Sequence, residues 1–267
     1  QTAHTKPLQE TLFAEMKSRI KENDSSVPYY YNGYWYQTRY EEGKDYPIYV
    51  RYKEKLEASE EVLFDCNAMA KGKAYFHLDS FAISDDNQWA VFGVDTVSRR
   101  QYTLQIKNLS TGKILPYKIK NTNGQAIWAA DSRTIFYVKN NQQTLRSFKV
   151  YRHILGTDPK DDVLIFHEKD DTFDVFVYRE KSRKYLVIGS ESTLTSEYQI
   201  LNANTPHKAF KVFQPRTRGL EYDIAHYEEH FYILTNKDGA TNFKLMRTPE
   251  SATTSEHWEE VIAHRPE

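Results

Sequence analysis

Short apolar runs separated by turn residues occupy most of the chain and predict β-strands. The clearest stretch spans residues 81–109, FAISDDNQWAVFGVDTVSRRQYTLQIKNL. Residues 89–94 form a β-branched and aromatic run, and residues 102–109 alternate between apolar and polar positions as a half-buried strand does. The short polar side chains at 85–87 favour a bend between the first two strands. This stretch therefore predicts three consecutive strands.

The same pattern recurs along the chain. Trp89, Thr134, Lys184 and His230 occupy corresponding positions and are 45, 50 and 46 residues apart. A repeat of about 40–50 residues with four strands is typical of a β-propeller blade. The predicted hairpins indicate an all-β protein with about five blades, whereas closed propellers have about four to eight. Because the last blade lacks a strand that would rejoin the first, we favour an open or truncated propeller over a closed ring.

One helix precedes the strands. Apolar residues step by four from Leu8 to Ile20 and form one face of a helix, which Pro28 prevents from continuing. We therefore predict an N-terminal helix and linker over residues 1–28 and a partial propeller over residues 29–267. The apolar face of the helix is expected to pack on the outside of the propeller or on a domain outside the chain.

Composition narrows the possible partners and locations. The chain has 36 Lys and Arg residues against 37 Asp and Glu residues, so its charge does not indicate a nucleic-acid partner. No apolar run approaches the ~20 residues of a membrane span, and we expect no membrane partner. Cys66, the single cysteine, is interpreted as a buried thiol. The N-terminus has no signal-peptide core and no initiating Met, so we expect a longer, cytoplasmic protein, with a periplasmic location left open.

The residues alone do not supply a complete catalytic or metal-binding motif. The chain has no Gly-x-Ser-x-Gly elbow and no phosphate-binding glycine loop. His226 and His230 are four residues apart, but in a strand–turn–strand unit we interpret them as solvent-facing turn residues rather than metal ligands. Adjacent carboxylates in predicted turns are interpreted as solvated rather than cation-binding; they lie at 85–86, 161–162 and 170–171. We predict neither a cofactor nor a metal.

Three long stretches of the chain are distinctive: SSVPYYYNGYWYQTRYEEGKDYPIYVRY, VYRHILGTDPKDDVLIFHEKDDTF and HFYILTNKDGATNFKLM. They resemble the oligopeptidase B (protease II) group of the prolyl oligopeptidase family of serine peptidases, and the resemblance extends over residues 5–249. It implies a seven-bladed, circularly open propeller that caps an α/β-hydrolase domain with a Ser-Asp-His triad. That domain follows the propeller in the family, so we expect it to be absent from this chain. The chain would then supply about five of the seven blades.

The resemblance also implies an activity and a set of contact residues. Family members of this group hydrolyse short peptides after Arg or Lys, and the propeller excludes folded chains. Expected partners are short basic oligopeptides and the missing catalytic domain; alone, the chain should be inactive because it lacks a nucleophile and oxyanion donors. Asn123 and Phe173 match propeller positions that line the substrate pocket. Asp170, Asp171 and Glu221 would add negative charge beside a basic substrate, with solvated loop charge as the alternative.

Two other functions remain open at this stage. The chain could be a free-standing propeller that binds other proteins, or a five-bladed propeller that binds or cleaves glycans. The second would need paired carboxylates that face a common cleft. A serine-nucleophile elbow followed by Asp and His downstream would favour the peptidase, whereas a polypeptide that ends near residue 267 would favour the interaction module.

Overall fold

A computed structural model describes residues 2–266 and divides the chain into two compact units, Gln1–Phe76 and His77–Glu267. The N-terminal helix and the first sheet belong to the same unit. The predicted boundary after residue 28 concerns the parts of a complete peptidase and stays a prediction.

The first unit contains a four-stranded sheet, a preceding helix and a short following helix. The strands pair antiparallel in the order β1-β2-β3-β4. The elements are α1 (Lys6–Ser18), β1 (Tyr29–Tyr31), β2 (Tyr34–Arg39), β3 (Ile48–Lys53), β4 (Glu60–Asp65) and α2 (Cys66–Ala70). Asn32 and Gly33 both have positive φ and join β1 to β2 in a two-residue hairpin. Cys66 is buried as predicted, and burial together with the charge of Asp65 raises the pKa of its thiol to about 12.

The predicted N-terminal helix is present as α1, and its described residues are all accessible to solvent. Pro7 lies in the first turn of α1, where a missing N–H has no cost, and the helix ends at Ser18. None of its described residues is buried, and Met16 is 61% exposed. The expected packing of its apolar face therefore stays a prediction.

The second unit contains three hydrogen-bonded sheets. The first has seven strands in the order β11-β10-β9-β8-β7-β6-β5. Its strands are β5 (His77–Ile83), β6 (Trp89–Asp95), β7 (Tyr102–Asn108), β8 (Ile119–Trp128), β9 (Thr134–Asn140), β10 (Ser147–Ile154) and β11 (Val163–His167). The other two sheets are four-stranded and follow chain order: β12 (Asp174–Arg179), β13 (Tyr185–Ser192), β14 (Thr195–Asn202) and β15 (Lys211–Val212), then β16 (Tyr222–Tyr227), β17 (His230–Thr235), β18 (Lys244–Pro249) and β19 (Glu259–Ile262).

The seven-stranded sheet is two blades that share β8. The sequence predicts a fourth strand over 114–120 and a connecting loop over 121–124; the strand begins later, at Ile119, and the loop prediction is wrong. Thr122 lies in a continuous strand and pairs with both Tyr102 of β7 and Lys139 of β9; the strand pairs with β7 before it and with β9 from Ala126 to Trp128 after it. Positive φ angles at Asn121 and Gly124 bend the strand where it changes partners, so no separate loop is needed. Together with β1–β4, residues 2–266 thus contain five blades.

Successive blades of the second unit pack face to face through apolar side chains. Leu186 and Ile188 of β13 belong to a buried cluster shared with blade three, and Val187 between them belongs to a cluster shared with blade five. A strand covered on both faces reads as a continuous apolar run because alternate side chains point to opposite sides. A third cluster, which includes Val91 and Tyr137, joins blades two and three. The predicted blades of four strands are confirmed in this packing.

His226 lies in β16 and is buried, at 6% exposed, so its prediction as a solvent-facing turn residue is wrong. Its face of β16 also carries Tyr222 and Ile224, and all three side chains point into the protein. His230 begins β17 and is half-buried.

Two kinds of loop meet at one end of the second unit. In a blade of four antiparallel strands, the hairpin between the second and third strands lies at the same end as the connection that enters from the previous blade. The hairpins span 96–101, 141–146, 193–194 and 236–243; the connections include the bend at 121–125 and the loops 168–173 and 213–221. We call this the loop end, and all five predicted site residues lie on it.

Candidate functional site

A cavity of about 700 Å³ opens at the loop end among blades two, three and four. Its lining contains Asn123 and Asp171, two of the predicted contact residues, together with Asp79, Asp174 and Arg100. The volume is in the range of about 300–1,000 Å³ typical of ligand sites. This first cavity is therefore large enough to hold part of a short peptide.

Asn123 is held in a fixed orientation at the bend of β8. Its Oδ1 accepts a hydrogen bond from the backbone N–H of Gln125 at 2.9 Å, and its Nδ2 donates to Ser147 Oγ at 3.3 Å. Ser147 in turn donates to Asn140 Oδ1 at 2.9 Å. Because these partners come from β8, β9 and β10, the amide is oriented by three strands of one blade.

The loop 168–173 connects blades three and four and carries three of the predicted residues. Asp170 is exposed, and its Oδ1 accepts hydrogen bonds from the hydroxyl of Thr172 at 2.7 Å and from its N–H at 3.0 Å. These two bonds lower the pKa of the Asp170 carboxyl below its ordinary value. Asp171 is also exposed and lines the first cavity. The loop thus presents two adjacent carboxyl groups at the loop end.

Phe173 is buried, at 6% exposed, rather than displayed at the cavity surface. The guanidinium carbon of Arg216 lies 3.7 Å from the centre of its ring. Such a contact is a cation–π interaction. In the described chain Phe173 supports Arg216, and its contact with a substrate stays a prediction.

Glu221 lies apart from the others, in a second cavity of about 580 Å³ between the loop 213–221 and the hairpin 236–243. Its Oε1 accepts a hydrogen bond from Asn236 Nδ2 at 3.1 Å, and its backbone N–H donates to Asn236 Oδ1 at 3.0 Å. Lys237 and Asp238 line the same cavity. The predicted residues are therefore divided: Asn123 and Asp171 in the first cavity, Glu221 in the second, Asp170 on the exposed loop and Phe173 beneath Arg216. Their contact with substrate stays a prediction.

Sequence reasoning missed the residues that hold the loop 168–173. Glu168 Oε2 accepts hydrogen bonds from Arg216 Nη2 at 2.6 Å and from Ser190 Oγ at 2.6 Å. Burial opposes ionisation of Glu168, but these hydrogen bonds and the charge of Arg216 keep its pKa below the ordinary value. Ser190 lies 22 positions and Arg216 lies 48 positions from Glu168 along the chain. No local sequence pattern indicates a network between residues so far apart.

Residues 2–266 contain no cluster of three or more His, Cys, Asp and Glu side chains arranged to hold a metal ion. None of the helices in this range is long and apolar enough to cross a membrane.

Comparison with known proteins assigns the fold to a family. Residues 1–267 match the model of the prolyl oligopeptidase N-terminal β-propeller domain. The chain belongs to the prolyl oligopeptidase (S9) family. The predicted resemblance and the predicted propeller fold are thereby confirmed, and the chain corresponds to the propeller portion of these peptidases.

Curated relatives are longer than this chain. Dipeptidyl aminopeptidase BI of Pseudoxanthomonas mexicana is 39% identical over 278 residues, which covers 98% of this chain and 38% of that protein. Protease 2 of Moraxella lacunata is 32% identical over 254 residues, which covers 91% of this chain and 36% of that protein. The chain thus spans little more than a third of the length of these relatives.

Similar solved structures are also longer than this chain. Oligopeptidase B from Leishmania major is 33% identical with a TM-score of 0.93, and the match covers 99% of this chain and 38% of that one. Oligopeptidase B from Trypanosoma brucei, in a closed form with covalently bound antipain, is 29% identical with a TM-score of 0.89. That match covers 100% of this chain and 38% of the trypanosomal chain.

Proposed function

We propose that this chain is the substrate-gating propeller of a serine peptidase that hydrolyses short peptides after Arg or Lys. Membership of the prolyl oligopeptidase family and the similarity to two oligopeptidase B structures support the proposal. The observation that carries it is the first cavity, whose lining brings the exposed carboxylates of Asp79, Asp171 and Asp174 to the loop end. Carboxylates at the mouth of a cleft raise the local concentration of cationic substrates.

In this proposal the propeller positions and selects substrate and performs no chemistry. Arg100 and Arg146 also line the first cavity, but the guanidinium of Arg146 is directed to backbone carbonyl groups of the loop 168–173. Because these carbonyl groups are neutral, Arg146 keeps its charge, and a cationic side chain would meet three carboxylates against two guanidinium groups, which leaves the lining negative. The activated nucleophile and the oxyanion donors, which supply most of the rate enhancement in acyl transfer, would come from a catalytic domain beyond this chain. The chain alone is expected to be inactive.

A second candidate is removal of dipeptides from the amino terminus of peptides. The relative with 39% identity is named a dipeptidyl aminopeptidase. The same carboxylates of the first cavity would then hold the α-ammonium group of the substrate instead of a basic side chain. Both candidates are peptide hydrolysis, and they differ in whether a free amino terminus is required.

The test compares the full-length natural polypeptide that contains this chain with residues 1–267 alone. The substrates are amino-blocked arginyl, lysyl and prolyl amides, and a dipeptidyl amide with a free amino terminus. We expect the full-length protein to hydrolyse the blocked arginyl and lysyl amides and the shorter chain to hydrolyse none. Preference for the prolyl amide would overturn the Arg/Lys specificity, and an obligatory free amino terminus would favour the second candidate. Turnover by residues 1–267 would contradict a purely gating role.

A further inference from the structure

The loop 168–173 is held from two sides by arginines that belong to different parts of the second unit. Arg146 ends the hairpin 141–146 in blade three, and Arg216 lies in the loop 213–221 that leads to blade five. Neither arginine is close to the loop along the chain. Only the folding of the second unit brings both arginines to the loop 168–173.

Arg146 bonds the backbone of the loop. Its Nη1 donates to the carbonyl oxygens of Asp170 at 2.8 Å and Phe173 at 2.6 Å, and its Nη2 donates to the carbonyl oxygen of Glu168 at 3.3 Å. Three carbonyl groups of one six-residue loop thus converge on a single planar guanidinium. A lysine ammonium carries the same charge but cannot reproduce this fork, because it is a compact donor on a flexible stem.

Arg216 bonds the side chains at the two ends of the loop. Its Nη2 donates to Glu168 Oε2 at 2.6 Å, and its guanidinium covers the ring of Phe173. Its own backbone N–H donates to Glu197 Oε2 at 3.1 Å, which ties it to β14. The first and last residues of the loop are therefore fixed to the same cation.

We propose that Arg146 and Arg216 are positioning residues that clamp the loop 168–173, so that the carboxylates of Asp170 and Asp171 are presented in one fixed place to a cationic peptide. The inference rests on the proposed function for its substrate. Within the loop, the Phe173 N–H donates to the Asp170 carbonyl, the Asp170 N–H donates to Glu168 Oε1 at 3.0 Å, and Asp170 accepts the two bonds from Thr172. Its outward carboxylates are exposed, so their position depends on how the backbone beneath them is held.

The clamp explains why a buried phenylalanine and a buried glutamate flank two exposed acids. Apolar and ionised groups at the ends of the loop give Arg216 both an aromatic face and a carboxylate to bind. Preorganised charge contributes more to binding and orientation than the same charge on a mobile loop, since the ordering is already complete before the substrate arrives. Arg146 and Arg216 act on the substrate through the loop.

The experiment uses the full-length polypeptide and the variants Arg146→Lys, Asp171→Asn and their combination. We expect Arg146→Lys to raise KM for a blocked arginyl peptide about fivefold to tenfold with kcat little changed, because the total charge is kept and only its placement is lost. Asp171→Asn should raise KM in the unsubstituted protein and have a smaller effect in the Arg146→Lys background. This non-additivity is the signature of two residues that act through one another.

Arg152→Lys is the matched control, because Arg152 also bonds a backbone carbonyl, that of Pro206 at 3.3 Å, but lies at the far end of β10 from Arg146. It should leave KM unchanged. Independent, multiplicative effects of Arg146→Lys and Asp171→Asn would overturn the proposal, as would an unaltered KM in Arg146→Lys.

Amide hydrogen exchange separates failure of the clamp from failure of the proposed function. In Arg146→Lys and Arg216→Lys, the amides of residues 168–174 should exchange faster while those of β13 do not change. Unaltered exchange in the loop would overturn the clamp. Faster exchange in the variants, together with no hydrolysis of basic peptides by the unsubstituted protein, would support the clamp and overturn the proposed function.

Discussion

Glu180 is a buried carboxyl group, 5% exposed, at the end of the second unit opposite the loop end. Its Oε2 accepts a hydrogen bond from the backbone N–H of His226 at 3.0 Å, whereas its Oε1 has no hydrogen-bond partner among the described residues. Burial raises the pKa of Glu180 above its ordinary value of 4.5, and the hydrogen bond from His226 only partly offsets this. Burial therefore favours the protonated form of this side chain in the folded protein.

We expect Glu180→Gln to stabilise the protein at neutral pH. A folded-state pKa above the unfolded one gives a contribution to stability that is complete below pH 4.5 and is lost as the pH rises through the folded value. Glutamine resembles the protonated acid and does not ionise, so the free energy of unfolding at pH 7 should be higher in the variant than in the unsubstituted protein. The gain should disappear near pH 4.5.

Urea unfolding at the two pH values measures this difference. Glu229→Gln, in the exposed turn between β16 and β17, serves as the control and should leave stability unchanged at both pH values. If Glu180→Gln instead lowered the free energy of unfolding equally at pH 7 and at pH 4.5, the prediction would be contradicted. Such a result would show that the carboxylate is needed for its hydrogen bond.

Residue environments were only partly predictable. The alternation in YDIAHY carries the signal that His226 shares a face with Tyr222 and Ile224, and the two-residue period of a strand accounts for its burial. No comparable signal exists for Arg146, because its partners are backbone carbonyls of a loop that is distant in sequence. Asn123 and Asp171 were chosen by resemblance, and the structure places both in the first cavity.

At the scale of elements, β6 and β8 approach each other closely where both contain glycine. A Cβ atom added to Gly93 would lie 2.7 Å from Gly124 Cα and 2.7 Å from the Gly124 carbonyl oxygen. These are backbone atoms, so relief requires that one strand moves. Gly124 lies between Asn123 and Gln125, which both line the first cavity. The close approach of β6 to β8 therefore also fixes the bend of β8 beside this cavity.

We therefore expect Gly93→Ala to lower the free energy of unfolding by about 2 kcal/mol, the usual cost of overpacking a well-packed region. Gly112→Ala is the comparison, since a Cβ there meets no atom within 4 Å and only the backbone strain at its φ of +72° applies. Denaturant unfolding should rank the Gly93 variant as the less stable. Equal stabilities would mean that the strands separate at little cost.

The sequence predicts strands well where the pattern of apolar side chains is strong. It predicts them poorly where the bending and pairing of the backbone decide the structure. Residues 89–94 and 102–109 correspond to β6 and β7, and the alternation of β7 matches its alternating burial. The stretch 121–124 contains Asn, Thr and Gly, which normally indicate a loop. In the fold it remains strand, because β8 exchanges one partner for another without leaving the sheet.

In the whole second unit, packed blades form the support, and in our proposal the loop end selects the substrate. Apolar clusters join blade two to three, three to four and four to five in the second unit. Both cavities and all five predicted site residues lie at the loop end of that unit. This division fits a domain that admits and orients substrate while the chemistry takes place elsewhere.

The most direct test of this account is the dependence of hydrolysis on substrate size. The full-length polypeptide is given a graded series of peptides that share one scissile arginine, and a folded protein that displays the same sequence on an exposed loop. A gating propeller predicts that kcat/KM falls steeply as the peptides lengthen and that the folded protein is not cleaved. Equal kcat/KM across the series, with cleavage of the folded protein, would contradict it.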